Sequence, residues 1–373
     1  MIWKFITFLV RKFEPEVAHQ ISLIALKLGF HPRLKRIAIP VKINNLHFTN
    51  FLGVAAGFDK NAQIIERIHY LNFGLTEVGT ITPLPQYGNP KPRVFRLEKD
   101  KAIINRNGFN NLGMAQAIKK LKNYRKKFPV GSDFILGVNI GPNKDSNDRF
   151  NDYEILSKNL SEFADYLTIN ISSPNTPNLR DFHQTNNLKK VLMSVKNGIA
   201  KSKSLDLQFP IFLKIAPDIS ENDLKQIIET ANENNISGLI ISNTTVDRNK
   251  ELQSDNLHET GGLSGIPLFN KSTNFLALAS KIIKIKKYNL YLIAAGGVSD
   301  SKSAYAKILC GAHLVQLYSS MTFDGPLIAE NILKGLLQLM NRDKISSIKD
   351  IRGIVDNPED AIKIANNGLK DNA

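Results

Sequence analysis

Eight short apolar runs between residues 52 and 317 constrain the fold more than any other feature of this sequence. The runs lack a strict polar alternation, and polar or glycine-rich residues follow each of them. They are Leu52–Ala55, Leu75–Val78, Phe134–Ile140, Tyr166–Ile171, Ile211–Ile215, Gly238–Ile241, Leu290–Ala294 and His313–Leu317. Continuous apolar runs are typical of strands buried on both faces, and most of the gaps can hold a helix. The series predicts an α/β protein built as a (β/α)8 TIM barrel.

The first 40 residues follow a different pattern and predict a small N-terminal helical extension. Ile2–Val10 is almost entirely apolar, but Arg11 ends it well short of the roughly 20 residues that a spanning helix needs. No small-residue cleavage site follows it, which disfavours a removable signal peptide. A second stretch with helical spacing runs from Val17 to Leu28, and the segment carries seven Lys and Arg against two Glu. Such amphipathic helices either lie in a membrane interface or pack on the protein's own core.

The rest of the chain divides into a barrel domain, residues 41–340, and a polar C-terminal tail, residues 341–373. At the start of the barrel domain, Val41–Ile43 and Leu46–Phe48 flank Asn44-Asn45, which predicts a small hairpin. In the tail we expect one short helix, near Pro358–Asn366.

Composition excludes several classes of site. The single cysteine, Cys310, excludes a disulfide framework, a cysteine-ligated zinc site and an iron–sulfur cluster held by this chain alone, and we predict no metal. The formal charge of +15 favours an anionic neighbour. The basic stretch Lys119–Lys127 has no interleaved aromatic residues, so we interpret it as the solvated face of a helix and predict no nucleic-acid partner.

Polar residues at or just after the ends of the apolar runs form a distinctive set. A barrel of this kind carries its functional groups at the carboxyl ends of its strands. The positions include two lysines, Lys60 and Lys214, and the carboxamides of Asn139, Asn170 and Asn243. A single asparagine is more often a turn former, but several carboxamides at one edge suit a heterocycle with alternating C=O and N–H groups. A pyrimidine and a flavin both fit that description.

Glycine-rich loops follow the last two runs, at Ala295–Ser299 and Tyr318–Ser320. Exposed backbone N–H groups and hydroxyls after strands seven and eight form the usual phosphate site of such barrels. We expect Gly261–Gly265 to be a further flexible approach point. Gly108–Gly113 has the span of a P-loop, but Met114-Ala115 replaces the required Lys and Ser/Thr. No G-x-G-x-x-G follows a predicted strand and no H-E-x-x-H occurs, which excludes a Rossmann nicotinamide site and zinc-peptidase chemistry.

Five segments together resemble the dihydroorotate dehydrogenase family: Ala55–Lys60, Asn105–Asn111, Asn139–Gly141, Asn170–Thr176 and Gly261–Gly265. The resemblance extends from about Phe13 to Phe323. Its most specific part is the run Asn-Ile-Ser-Ser-Pro-Asn-Thr, whereas the glycine loops are not specific. The resemblance implies an oxidoreductase that converts dihydroorotate to orotate in pyrimidine (UMP) biosynthesis, with FMN as the bound hydride acceptor.

The resemblance also implies a role for each matching residue. The expected FMN-binding residues are Ala55, Ala56, Gly57, Phe58, Asp59, Thr80, Asn139, Asn170, Lys214, Ser242, Gly265, Gly297, Tyr318 and Ser319. The expected substrate-binding residues are Lys60, Asn105, Arg106, Asn107, Gly108, Phe109, Asn170, Asn175, Asn243 and Thr244. Ser173 takes the position of the catalytic base.

The identity of residue 173 also implies a subtype. Soluble members have a cysteine there, whereas the membrane-associated branch, which reduces a membrane quinone, has serine. The N-terminal helices agree independently with the second branch. We therefore expect a peripheral protein on the cytoplasmic side of the cell membrane, bound through residues 1–40.

Some positions depart from the family pattern, and two other functions fit parts of the sequence. Asn178 and Asn107 stand where a glycine and a larger apolar residue are usual, and Ser242 replaces a threonine. A tRNA-reducing flavoenzyme would also use FMN on such a barrel and would explain the basic charge, but it needs an RNA-binding extension with aromatic residues. A non-catalytic membrane-surface adaptor would explain residues 1–40 but not the polar strand ends.

Overall fold

A computed structural model describes residues 2–177, 179–202 and 209–369, so Asn178 lies outside the described residues. The strands are β1 (Val41–Ile43), β2 (Leu46–Phe48), β3 (Leu52–Val54), β4 (Leu75–Ile81), β5 (Val94–Leu97), β6 (Ala102–Asn105), β7 (Ile135–Ile140), β8 (Tyr166–Asn170), β9 (Ile211–Ile215), β10 (Gly238–Ile241), β11 (Gly262–Gly265), β12 (Tyr291–Ala295) and β13 (Leu314–Leu317). The α-helices are α1 (Ile2–Val10), α2 (Pro15–Lys27), α3 (Ile65–His69), α4 (Gly113–Arg125), α5 (Arg149–Leu160), α6 (Thr185–Ala200), α7 (Glu221–Glu233), α8 (Phe269–Lys286), α9 (Ser301–Leu309), α10 (Ser319–Asp324), α11 (Ile328–Arg342) and α12 (Pro358–Asn367).

Eight parallel strands close into a barrel, which confirms the predicted fold. Around the barrel the order is β3, β4, β7, β8, β9, β10, β12 and β13, and β13 pairs with β3 to complete the cylinder. Every residue of β7, β8 and β9 is buried, as expected for strands covered by helices outside and by side chains within. Closure brings all eight carboxyl ends to one rim, so residues far apart in sequence meet there.

Helices cover the outside of the barrel through one apolar face each. In α7, Leu224, Ile227 and Ile228 are buried, and a capping box between Ser220 and Asp223 fixes the first turn. The basic stretch after Met114 lies on α4, which buries Ala117 and Leu121 and exposes most of its lysines. It is therefore the solvated face of a helix, as predicted.

The N-terminal helices lie against the rim near α10. Arg93 donates to the Glu16 carboxylate of α2 at 2.9 Å, and Arg96 donates to the backbone carbonyls of Arg11 and Phe13. Several large apolar side chains of this segment remain exposed, among them Ile2, Phe5 and Phe8. Among the described residues, no helix has both the length and the apolar character needed to cross a membrane.

A separate three-stranded sheet was not predicted from the sequence. β6 pairs antiparallel with β5 and also with β11, where Asn105 lies opposite Gly262 and Ala102 opposite Gly265. Gly261–Gly265, expected to be a flexible approach point, is therefore mostly a paired strand. The partner strands are about 160 residues apart in sequence, and local patterns do not reveal a pairing over such a distance.

The segment after Met340, expected to be a polar tail, packs on the barrel where the structure describes it. Its helix, α12, contacts α9 and α8, and it buries Ala361, Ile364 and Ala365. A short 3-10 turn before it buries Ile348 and Ile351. These few apolar residues are widely spaced among charged ones, which explains why the composition of this segment predicted a polar tail.

Candidate active site

A cavity of about 470 Å³ opens at the carboxyl rim of the barrel, with α1 and α2 forming one of its walls. Most of the predicted site residues converge on it. The predicted residues that line it are Ala55, Ala56, Gly57, Phe58, Lys60, Thr80, Asn105, Asn107, Gly108, Phe109, Asn170, Ser173, Asn175, Lys214, Ser242, Asn243, Thr244, Gly265, Gly297, Tyr318 and Ser319. Its volume lies within the range of sites for small molecules and cofactors.

Three predicted ligand-binding residues do not line the cavity. The Asp59 carboxylate is buried and accepts hydrogen bonds from the backbone N–H groups of Gln63 and Ile64, each at 2.8 Å. The Arg106 guanidinium donates to Glu259 at 2.6 Å and lies over the Phe95 ring. The Asn139 side chain is fully buried below the rim. These contacts hold the surrounding loops and side chains, and the expected contact of all three residues with a ligand stays a prediction.

Asn139 belongs to a chain of hydrogen bonds that runs from the barrel interior to the cavity. The Thr80 hydroxyl donates to Asn139 Oδ1 at 2.6 Å, and Asn170 Nδ2 donates to Thr80 Oγ1 at 3.0 Å. Asn170 Oδ1 in turn accepts from the Ser172 hydroxyl at 3.1 Å. Because each amide has one donating and one accepting end, this chain fixes which end of Asn170 faces a bound ring.

The chain begins at Glu77, a residue that the sequence analysis missed. Its carboxylate is fully buried and accepts from Asn139 at 2.8 Å, Gln316 at 2.9 Å, Thr168 at 3.0 Å and Tyr166 at 3.2 Å. A carboxylate can only accept, so it forces Asn139 Nδ2 to point toward it. A single glutamate among apolar residues of β4 was the one available signal for this position.

Lys214, on β9, lies beside this network. It pairs in register with Asn170 of β8 and is 6% exposed. Burial lowers the pKa of Lys214, and the attraction of Glu77 opposes that shift. Its ammonium makes no hydrogen bond to any residue in the described ranges. A buried ammonium without an acceptor at a cavity wall fits a ligand that presents a carbonyl or a ring nitrogen able to gain negative charge.

Another set of cavity-lining residues offers donors suited to a phosphate. The hydroxyl oxygens of Ser264 and Ser319 lie 2.8 Å apart, and the Ser320 hydroxyl is buried without a hydrogen-bond partner in the described part of the chain. Gly297, which is buried, also lines the cavity. The lining thus combines a cation and amides with hydroxyls and glycines, which fits the ring and the phosphate of FMN.

A third group of residues forms the part of the cavity expected to bind substrate. Lys60 donates from Nζ to the Gly57 carbonyl at 2.8 Å and is enclosed by protein atoms, which lowers its pKa to about 8. Ser173 is 6% exposed, and its Oγ accepts from the backbone N–H of Asn175 at 3.3 Å. Asn175 Nδ2 donates to the Asn105 carbonyl at 3.0 Å. The loop that carries Ser173 is thereby tied to the loop after β6.

His19, from α2, completes the wall between the N-terminal helices and the barrel rim, and the sequence analysis did not single it out. Its ring contacts Phe58 edge-on at 5.4 Å between centroids and lies 6.2 Å from Tyr318. Burial, and then the nearby Lys60 charge, lower the pKa of His19 to about 3, so the ring is neutral. The described residues contain no group of His, Cys, Asp and Glu side chains that could hold a metal.

Comparison with known proteins gives a consistent result. A family profile described as Dihydroorotate dehydrogenase matches residues 38–340. The chain is 45% identical to "Dihydroorotate dehydrogenase (quinone)" of Bartonella tribocorum over 91% of its own length and 92% of that protein, and 45% identical to the protein of the same name from Parvibaculum lavamentivorans over 91% and 94%.

Solved structures agree with the sequence comparison. The ferulenol complex of DHODH from Eimeria tenella superimposes with a TM-score of 0.86 at 37% identity, covering 91% of this chain and 95% of that one. The ligand-free DHODH of the same organism gives a TM-score of 0.86 at 38% identity, covering 91% of this chain and 99% of that one. The family profile spans most of the barrel domain and the relatives are matched over nearly their whole length. The chain belongs to the dihydroorotate dehydrogenase family.

Proposed function

We infer that this enzyme oxidises dihydroorotate to orotate with bound FMN as the hydride acceptor, and that a quinone then takes up the electrons. The family assignment supports the oxidation of dihydroorotate, and the names of the curated relatives support a quinone as the electron acceptor. The observation that carries the site is the convergence of Lys60, Ser173 and Lys214 on one cavity.

FMN is held by residues along the length of the cavity in this proposal. Lys214, Asn170 and Thr80 face the ring system, while Gly297, Ser319 and Ser320 bind the phosphate. When bound, the flavin supplies a hydride acceptor. Lys214 favours the reduced form, because its fixed positive charge stabilises negative charge that develops beside it. The hydrogen-bonded carboxamides favour binding because they are already held in a single orientation, which lowers the entropy cost of ordering them when FMN binds.

Ser173 acts as the catalytic base toward the substrate ring. The Lys60 ammonium meets the substrate carboxylate, while Asn105, Asn175 and Asn243 bind the ring amides and hold it in one plane. Ser173 Oγ takes up one C–H proton of the saturated ring as its own hydroxyl proton passes to a water molecule, so the residue ends the step as a neutral hydroxyl. The hydroxyl is a weak base, so correct placement against the C–H bond has to compensate for its unfavourable pKa.

The N-terminal helices guide the quinone and bind the membrane surface in this proposal. The wall that α1 and α2 build is mostly apolar, and His19 reaches from it toward Phe58 and Tyr318. An apolar slot of this kind gives a quinone a route from a lipid interface to the cavity. We further propose that the enzyme is peripheral, on the cytoplasmic side of the cell membrane.

Two half-reactions test the proposal. Anaerobic addition of dihydroorotate should bleach the flavin absorbance, and a quinone analogue should restore it faster than fumarate does. Ser173→Ala should retain FMN yet slow the bleaching by orders of magnitude, since general base catalysis contributes about 10²–10⁴-fold. Bleaching of that variant at the wild-type rate in stopped-flow measurements would contradict the role of Ser173, and faster recovery with fumarate would contradict quinone use.

A further inference from the structure

Lys307, in α9, is a buried lysine that the proposed reaction does not use. Its side chain has no exposed surface, and Nζ donates to Ser272 Oγ on α8 at 2.7 Å. The ammonium also lies 5.1 Å from the centroid of the Phe269 ring. No carboxylate pairs with it within residues 2–177, 179–202 and 209–369. An unpaired buried charge destabilises a fold, so stability alone does not account for a lysine at this position.

Ser272 connects Lys307 to the glycine turn after β12. Its Oγ lies 3.1 Å from the Gly296 carbonyl oxygen and 3.2 Å from that of Phe269. Because the Lys307 ammonium occupies Ser272 Oγ as an acceptor, the hydroxyl proton is free to point at these carbonyls. The positive charge therefore acts on the Gly296 carbonyl through one hydroxyl group.

The peptide between Gly296 and Gly297 carries this effect to the cavity. In a planar trans peptide, the C=O and the N–H point in opposite directions. With the Gly296 carbonyl turned toward Ser272, the Gly297 N–H points away from α8. Gly297 lines the cavity and is buried, and its N–H donates no hydrogen bond within the described residues. A buried N–H without a partner needs an acceptor, which a bound ligand can provide.

The turn cannot easily change shape to relieve this unpaired donor. Gly296 and Gly297 both have positive φ, at 103° and 79°. A Cβ on Gly297 would come within 2.3 Å of Phe269 Cα, so the turn is packed directly on the start of α8. The donor is thus fixed in place before any ligand arrives.

We propose that Lys307 is a positioning residue for phosphate recognition, which through Ser272 polarises the Gly296–Gly297 peptide and strengthens the Gly297 N–H as a donor to the FMN phosphate. The inference rests on the proposed use of FMN. Hydrogen bonds linked in series strengthen one another, and a charged donor at one end increases the effect. Burial lowers the pKa of Lys307 to about 7, and an anion bound at this turn favours the charged form.

Competition between FMN and riboflavin tests the inference, because riboflavin lacks only the phosphate. The purified holoenzyme is exchanged against mixtures of the two flavins, and the bound flavins are separated by chromatography and quantified. Lys307→Met and Ser272→Ala should each lower the preference for FMN over riboflavin roughly tenfold, or about 1.4 kcal/mol. The double variant should lose no more than either single variant, because both changes interrupt the same connection. Lys284→Met, an exposed position on α8, removes a charge elsewhere and should leave the preference unchanged.

Several results would overturn the inference. An unchanged preference, or equal weakening of both flavins, would show that Lys307 and Ser272 serve only the packing of α8 and α9. Additive losses in the double variant would show that the two residues do not act through one connection. If Lys307→Met does not fold, Ser272→Ala decides the question, since it removes one oxygen atom and leaves the lysine in place. Failure of the FMN proposal itself would look different, because wild-type holoenzyme would then contain no FMN to exchange.

Discussion

At the scale of single residues, Lys60 carries a positive charge whose presence depends on pH near neutrality. Its Nζ lies 2.8 Å from the Gly57 carbonyl oxygen, and burial lowers its pKa from 10.5 to about 8, partly opposed by Glu16. In the free enzyme the ammonium is therefore lost as the pH rises through about 8. A bound carboxylate would restore the charge, so the loss affects capture of the substrate more than turnover of the complex.

We predict that kcat/KM for dihydroorotate falls above about pH 8, following the Lys60 pKa, while kcat changes less. Lys60→Arg should have lower activity, because a guanidinium fits the site differently, but a flatter profile, because it keeps its charge. Steady-state rates measured across the alkaline range for both proteins would check this. A wild-type profile that is as flat as that of the arginine variant would rule out Lys60 as the titrating group.

Glu77 sets the direction of the hydrogen-bond chain that ends at Asn170. Its carboxylate accepts four hydrogen bonds and lies close enough to Lys214 to favour that lysine's charge. A glutamine has the same shape but presents donors on one side. At least one of the groups that now donate to Glu77 would then face the NH₂ group of the glutamine, and Lys214 would lose its counter-charge.

Glu77→Gln is expected to lower the free energy of unfolding by about 2–4 kcal/mol, the range for a broken buried polar network. Tyr166→Phe is the matched control, because it removes one donor to the carboxylate and should cost only about 1 kcal/mol. Urea denaturation of both holoenzymes in excess flavin measures the difference. Equal losses in the two variants would mean that the charge of Glu77 contributes little.

At the scale of elements, the attachment of α2 depends on one well-buried ion pair. Arg93 is 7% and Glu16 is 16% exposed by side chain, and their closest atoms are 2.9 Å apart. Lys91 also approaches Glu16, at 3.7 Å, but it is 68% exposed. Exposed pairs contribute little to stability, whereas breaking a buried pair leaves an uncompensated charge. Among the charged pairs of α2, Arg93–Glu16 is therefore the one expected to fix the helix on the rim, next to the hydrogen bonds that Arg96 donates to Arg11 and Phe13.

Arg93→Met should slow flavin reoxidation by a quinone analogue severalfold, because α2 and His19 lose their fixed position on the rim. Lys91→Met should leave that rate within twofold, as expected for an exposed pair worth about 0–1 kcal/mol. Flavin reduction by dihydroorotate is measured on the same samples. Its rate should stay close to wild type in both variants, because Lys60 and Ser173 are unchanged. If Arg93→Met slowed the two half-reactions equally, the ion pair would support the whole rim and not only the wall that α1 and α2 form.

The elements also show what local sequence patterns can predict. β9 and β10 match the predicted bounds residue for residue, because both are mainly apolar runs between polar segments. The sheet of β5, β6 and β11 escaped prediction, since its pairing depends on tertiary contacts. The short helix predicted near Pro358–Asn366 is confirmed as α12, but its packing was not predicted, because its buried residues, Pro358, Ala361, Ile364 and Ala365, are recognisable only against the helices that they contact.

The site was predictable where chemistry lies at or beyond the carboxyl end of a strand and unpredictable where it lies deeper within one. Lys60 follows β3, while Asn170 and Lys214 are the last and the next-to-last residues of β8 and β9, and a closed barrel gathers such positions on one rim. Glu77 lies inside β4 and points into the barrel, where no motif marks it. Lys307 lies on a helix, and its link to the Gly296–Gly297 turn exists only in three dimensions.

At the scale of the whole molecule, charge and exposed apolar surface occur together at the N-terminal end. The chain has a formal charge of +15, and residues 1–40 contain seven Lys and Arg against two Glu. On the same segment Ile2 is 66%, Phe5 60% and Leu28 80% exposed. Apolar side chains that enter the headgroup region, together with cations that meet anionic lipids, bind a protein to a membrane surface without crossing it.

The enzyme should therefore bind vesicles that contain anionic lipid more strongly than neutral ones, with binding that weakens as salt increases, since each basic residue near the surface contributes about 1 kcal/mol at most. Phe5→Glu should reduce co-sedimentation at least tenfold, because it replaces an inserted ring with a like charge for the lipid. Tyr87→Glu makes the same kind of change at a side chain that is 96% exposed on another loop, and it should have little effect. Equal losses from both variants would show that total charge governs binding. If α1 instead holds the enzyme on the membrane, only the Phe5 variant should lose vesicle binding. The rate at which dihydroorotate reduces its flavin should then be unchanged.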